Sequence, residues 1–154
     1  IIAILALFIV AIFLLSTKNK NTWTENNSSG PTKTAGIDAG CYVSRTGKDV
    51  YMLDIQLGQE GHVYGTLSFK NFEKDSSSGI FNATYEDGIL LGEYAFTSEG
   101  TDSVMQVIFK KSGNNFVRGY GSVDESGARF VNIQNITYDT SSSLNVFKKE
   151  PCEE

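Results

Sequence analysis

DVYMLDIQL, Asp49 to Leu57, puts Tyr51, Leu53, Ile55 and Leu57 on one side of an extended chain and Met52, Asp54 and Gln56 on the other. Strict alternation of this kind is the period of a strand with one buried face, not of a helix. The same pattern recurs downstream. After GQEGH, the run VYGTLSFKNF turns Val63, Leu67 and Phe69 inward, and after DSSSG the run GIFNATY does the same with Phe81, Ala83 and Tyr85. Asp87-Gly88 is a strong two-residue hairpin signal. It leads into ILLGEYAFTS, where Leu90, Gly92, Tyr94 and Phe96 share a face, and TSEGTD then turns the chain into SVMQVIFKK, with Met105, Val107 and Phe109 together. SGNN, FVRGYG, DESGA, RFVNIQNITY, DTSSS and LNVFKK continue the alternation of turns and strands.

About eight or nine short strands joined by short turns, with no sustained helical period, predict an all-β domain. Sequential hairpins favour a meander, and a meander of this size closes into an up-and-down antiparallel barrel to remove its edges. Gly65, Gly92 and Gly119 lie inside strands and allow the tight coiling of a small barrel wall. A two-sheet sandwich is the competing architecture.

The chain has two cysteines, Cys41 where this pattern opens and Cys152 where it closes. Their placement suits a disulfide tying first strand to last, which would put the body in an oxidising compartment, a periplasm or the exterior. Two unpaired thiols are the alternative. Ala39-Gly40-Cys41 resembles the end of a lipoprotein cleavage site, but Asp38 occupies the position that should be apolar, and a long polar stretch separates it from any apolar run. Lipidation there is disfavoured.

Residues 1–15, IIAILALFIVAIFLL, carry no polar side chain. As a helix they rise about 22 Å against a hydrocarbon core of roughly 30 Å, so the expectation is a transmembrane anchor whose start lies upstream of Ile1. A cleaved signal peptide competes, since an h-region of roughly 7–15 residues has this length. The following STKNKNTW lacks a small-x-small cleavage pattern, which favours the uncleaved anchor. Lys18 and Lys20 follow the apolar run, but the opposing flank is needed before charge sets the orientation. Residues 16–40, rich in Asn, Ser, Thr and Gly, read as a flexible tether with an r.m.s. span of roughly 25–30 Å. Trp23 within it is either an interfacial anchor or an incidental exposed indole. The barrel domain is expected over 41–152, followed by a short acidic tail at 153–154.

Catalytic chemistry finds little support. His62 is the single histidine, in the turn-like GQEGHVYG, and no serine sits in a Gly-x-Ser-x-Gly elbow. The cysteine spacing fits no zinc pattern, and no Gly-rich loop precedes a helix. Glu73, Asp75 and Glu99 lie at turns that a meander brings to one end; a glycosidase-like pair or a calcium site there would need them to converge. From Cys41 onward ten Lys and Arg face sixteen Asp and Glu, a net of −6, which disfavours nucleic acid. No cofactor or metal is indicated. Gly119-Tyr120-Gly121 marks either a close backbone approach or a twisted strand end.

The succession CYVSRTGKDVYMLDI, VYGTLSFKNFEKDSSSG, ILLGEYAFTSEGTDSVMQVIF and VRGYG resembles small envelope lipoproteins of unassigned function from Bacteroidetes-type bacteria, over most of residues 41–120. In broad shape the chain is also similar to lipocalin-like and avidin-like (calycin) barrels. It departs from the first in lacking a lipid-accepting cysteine after its apolar run, and from lipocalins in lacking the early Gly-x-Trp signature. The resemblance implies an envelope location and no specific activity.

The expected function is therefore non-enzymatic. A membrane-tethered extracytoplasmic barrel would bind a small apolar or amphipathic ligand in its mouth or interior, lined by Tyr51, Phe69, Phe81, Tyr94, Phe96, Phe109 and Tyr120. The alternative is a solid-core β domain that acts through its surface as an envelope interaction or inhibitor module. A cavity of a few hundred cubic ångströms would distinguish the first from the second.

Overall fold

The structure, a computed structural model, describes residues 36–152. The expected anchor at 1–15, most of the tether and the tail at 153–154 lie outside them. Among the described residues no helix is long and apolar enough to cross a membrane.

Eight antiparallel strands close into a barrel in strict chain order: β1 (Gly40–Thr46), β2 (Asp49–Leu57), β3 (His62–Lys70), β4 (Ser77–Glu86), β5 (Ile89–Ser98), β6 (Thr101–Ser112), β7 (Asn115–Arg118) and β8 (Val146–Glu150). The seam joins β1 to β8 through Cys41↔Glu150, Tyr42↔Lys149 and Val43↔Lys148. Closure satisfies the edge groups that an open meander would leave free, and it excludes the sandwich.

Turn chemistry sets the registers. Asp87 and Gly88 both have positive φ, 50° and 80°, as a type I′ hairpin requires, and Glu99-Gly100 repeats this at 49° and 77°. In the barrel wall, a Cβ on Gly92 would stand 2.3 Å from the Asn82 carbonyl oxygen and 2.5 Å from Ala83 Cβ, so only hydrogen fits where β4 and β5 cross closely.

The up-and-down course defines two ends. One carries the start of β1, the 57–62, 86–89 and 112–115 connections and the end of β8. Here Cys41 and Cys152 form a disulfide, with Cα atoms 5.1 Å apart. The opposite, loop end carries the 46–49 turn, the 70–77 loop, the 98–101 turn and the exit from β7.

Inward residues follow the alternation read from the sequence. Leu53, Ile55, Val63, Leu67, Phe81, Leu90, Tyr94, Phe109, Phe116 and Phe147 are each at most 1 % exposed, and Tyr42 is fully buried among them. Edge-to-face ring contacts at 4.9 Å (Tyr42–Phe116), 6.2 Å (Phe81–Phe109) and 5.3 Å (Phe109–Phe147) cross the interior. Side chains fill the middle of the barrel.

Two stretches differ from the sequence reading. RFVNIQNITY, expected as a strand, lies in a long crossing between β7 and β8 that folds over the outer wall. It pairs only at the bridges Tyr120↔Thr137 and Val123↔Phe130 and contains a 3-10 turn at Ile133–Asn135. The crossing is held instead by Asp124, which accepts hydrogen bonds from the Ser126 hydroxyl and the Ala128 and Arg129 amides, and by Gln106, whose amide and side chain bond Ala128 and Phe130. Ile133 and Ile136 serve contact with the wall, not strand pairing. Ile37, which the composition of its neighbours assigned to the tether, is 1 % exposed and packs into the core.

Candidate functional site

Five of the seven aromatic residues read as ligand candidates gather toward the loop end. Tyr51 and Phe69 meet at 5.0 Å, Phe69 and Tyr94 at 5.7 Å, and Tyr94 stacks on Phe96 at 4.7 Å. The fifth is Tyr120, just beyond β7; it is 43 % exposed and stands outside the buried core. The other two, Phe81 and Phe109, belong to the filled middle, and each is 0 % exposed.

The element geometry accounts for this split. Tyr51 begins β2, Phe69 ends β3 and Phe96 nears the end of β5, so each inward position falls in the last layer before the loops. Tyr94 is one layer deeper and opposes Phe81 across the β4–β5 pair.

At the centre of this layer is Arg118, a residue the sequence reading passed over. Phe116 is fully buried in the core, so the residue two positions along β7 shares its inward face. The guanidinium carbon of Arg118 lies 4.3 Å from the centroid of the Phe69 ring and 5.0 Å from that of Tyr120. Cation–π attraction of this kind grows as the pair is desolvated. Among the described residues no carboxylate pairs with Arg118, and no side chain or backbone carbonyl accepts a hydrogen bond from it. The alternation of VRGYG with the preceding Phe116 was the signal that could have revealed it.

Phenol hydroxyls supply the polar groups around the cation. Tyr51 donates to Asn71 Oδ1 at 2.7 Å, Tyr94 to Ser77 Oγ at 3.1 Å, and Tyr120 to Asn145 Oδ1 at 3.0 Å. Burial raises the pKa of Tyr51, reinforced by the Asp49 carboxylate and Tyr120, while the Arg118 charge opposes it. Burial also raises that of Tyr94, against the Ser77 hydrogen bond and Arg118. Both phenols remain neutral donors at physiological pH.

Glu73, Asp75 and Glu99 do reach this same end, as the meander implied. They do not converge. Among the described residues the only three metal-capable groups whose atoms lie within 4.8 Å of one another are Cys41, Asp54 and Cys152, and both sulfurs are consumed in the disulfide. Asp75 instead shapes the loop, its carbonyl accepting from Asn71 Nδ2 at 2.6 Å, and Ser98 Oγ ties the neighbouring turn to the Ser76 carbonyl at 3.3 Å. His62 is exposed at the start of β3, at the opposite end.

Among the described residues, hollows of a few hundred cubic ångströms lie on the outer wall, outside the filled interior, and two of them bear on function. One of about 560 Å³ runs beneath the crossing segment and is lined by Ile89, Leu91, Ile108, Ile133, Ile136 and Tyr138, with Glu86 and Asp87 at its margin. The second, about 510 Å³, is a shallower trough over Gly79 and Ala95 between Ile80 and Val104. Comparison of the chain with protein-family models, with curated proteins and with solved structures gave no match.

Proposed function

We propose that this protein is a membrane-tethered, extracytoplasmic binding module that takes a small amphipathic ligand at its loop end without transforming it. The membrane and compartment parts of this reading rest on the apolar leader at residues 1–15, the likeness to small envelope lipoproteins, and a disulfide that needs oxidising surroundings. The observation that carries the binding part is the contrast along the barrel axis. Below Tyr94 the interior is filled by fully buried side chains, whereas at the loop end aromatic faces and phenol hydroxyls surround a cation that pairs with no carboxylate among the described residues. Apolar surface combined with a few convergent polar groups is the usual make-up of a small-molecule site.

The outer groove supports a second reading, a protein-interaction or inhibitor module, because Ile89, Leu91, Ile108 and Ile133 offer apolar surface there.

Binding of N-phenyl-1-naphthylamine, a neutral fluorophore that brightens on leaving water, tests one against the other. Phe96→Ala and Tyr120→Ala, both at partly exposed positions, are expected to weaken it several-fold, and Ile133→Asp to leave it unchanged. Loss of binding in Ile133→Asp with none in the loop-end variants would contradict the loop-end reading in favour of the groove.

A further inference from the structure

We infer that Arg118 is the receptor for an oxyanion, so that the ligand of the loop end is an amphiphile with a carboxylate or phosphate head. This rests on the loop-end reading above and names the chemical class of its ligand. A guanidinium at the inner face of a barrel is costly to desolvate unless an anion or a set of acceptors compensates. Among the described residues the compensation is aromatic only: the Phe69 face at 4.3 Å and the Tyr120 face at 5.0 Å. Both contacts are to ring faces, and among the described residues no acceptor meets the N–H groups of the guanidinium. Those N–H groups form the fork that matches two oxygens of a carboxylate or phosphate.

The rim carries charges of both signs beside Arg118. Asp49, the carboxylate that acts on Tyr51, accepts a hydrogen bond from the Phe72 amide at 2.7 Å. Lys48, at the adjoining turn, lies over the Phe72 ring at 3.7 Å and adds positive charge to the same rim. The hydroxyls of Tyr51 and Tyr94 sit close enough to Arg118 for its charge to act on both. The body as a whole is acidic, so distant charges do not draw an anion in. Recognition is therefore short-range, inside the screening length of physiological salt. The rings that flank the cation supply the apolar walls for the rest of the ligand.

The test uses the full chain in phosphatidylcholine nanodiscs, with empty discs as the blank, and compares octanoate, octyl phosphate and octanol by titration calorimetry at neutral pH. One or both acids are expected to bind about tenfold or more tighter than the alcohol, in keeping with a charge-assisted pair. The tighter acid identifies the head group, carboxylate or phosphate. Arg118→Gln is expected to erase the preference and Arg118→Lys to retain part of it. Equal binding of the acids and the alcohol by the unaltered chain would overturn the anion assignment while leaving the loop-end reading intact. A preference that survives in Arg118→Gln would overturn the role of Arg118. If neither acids nor alcohol bind, both the assignment and the reading it rests on fall.

Discussion

Tyr42 shows how far a single buried group can tie this fold to pH. Its ring is fully buried against Phe116, and its hydroxyl donates to the Asp38 carbonyl at 2.8 Å. Burial, then the charges of Asp38 and Tyr85, push its pKa up to about 12 from an ordinary 10.0. In the unfolded chain the phenol ionises first, so the folded state holds the extra proton between those two values. Stability conferred by the neutral ring is thus full below pH 10 and is lost progressively as pH rises toward about 12. Phenolate absorbance should show Tyr42 titrating last, well after the exposed tyrosines, with the denaturant midpoint falling over the same interval; simultaneous ionisation of all tyrosines would disprove it. Glu99 makes a different demand. It occupies the left-handed region at φ 49° in a hairpin turn, where most side chains are strained and Asn, whose short amide bonds locally, is tolerated. Glu99→Asn is expected to raise unfolding free energy by about 1 kcal/mol, seen as a higher urea midpoint at unchanged slope.

The strands were legible because their physics is local. Period-two alternation placed Leu53, Ile55, Phe81, Tyr94 and Phe109 inward, and Asp87-Gly88 marked its hairpin, from residue type and spacing alone. The crossing between β7 and β8 was not legible. The run RFVNIQNITY mixes apolar and polar residues much as a strand does, yet Ile133 and Ile136 lie against wall residues such as Ile108, distant in sequence. Gly119 shows the tertiary constraint directly, since a Cβ there would stand 2.4 Å from Ile136 Cγ2 and 2.8 Å from Ile108 Cγ2. The candidate site divided along the same line. Its aromatic residues lay on readable strands, but the absence of an acid partner for Arg118 among the described residues depends on every loop that could have supplied one. Glycines in the wall carry a testable consequence. Gly92→Ala forces the Asn82 carbonyl or Ala83 to move, which should lower stability by about 1–3 kcal/mol. An unchanged thermal midpoint would mean that β4 and β5 do not approach as closely as described.

Closure of the barrel depends on a short seam. β1 meets β8 through three residue pairs, and β7 meets β8 through two, Phe116↔Phe147 and Val117↔Val146. The Arg45–Glu150 ion pair and the Cys41–Cys152 bond reinforce that seam. The cysteines are 111 residues apart, and loop-closure entropy sets an upper bound of about 5 kcal/mol for what their bond contributes. Cys41→Ser with Cys152→Ser should lower the urea midpoint and speed amide exchange first at Tyr42, Val43 and Lys148; uniform protection across the barrel would argue against a seam of this kind. Away from the seam, a filled middle confines any small-molecule chemistry to the loop end or the outer wall. Carbon and nitrogen chemical-shift mapping of the chain titrated with octanoate decides where binding occurs. We expect shifts concentrated at Tyr51, Phe69, Phe96, Arg118 and Tyr120, with Phe81, Phe109 and Ile133 unmoved. Shifts centred on Phe81 and Phe109, or on Ile133 and Ile136, would contradict a ligand site at the loop end.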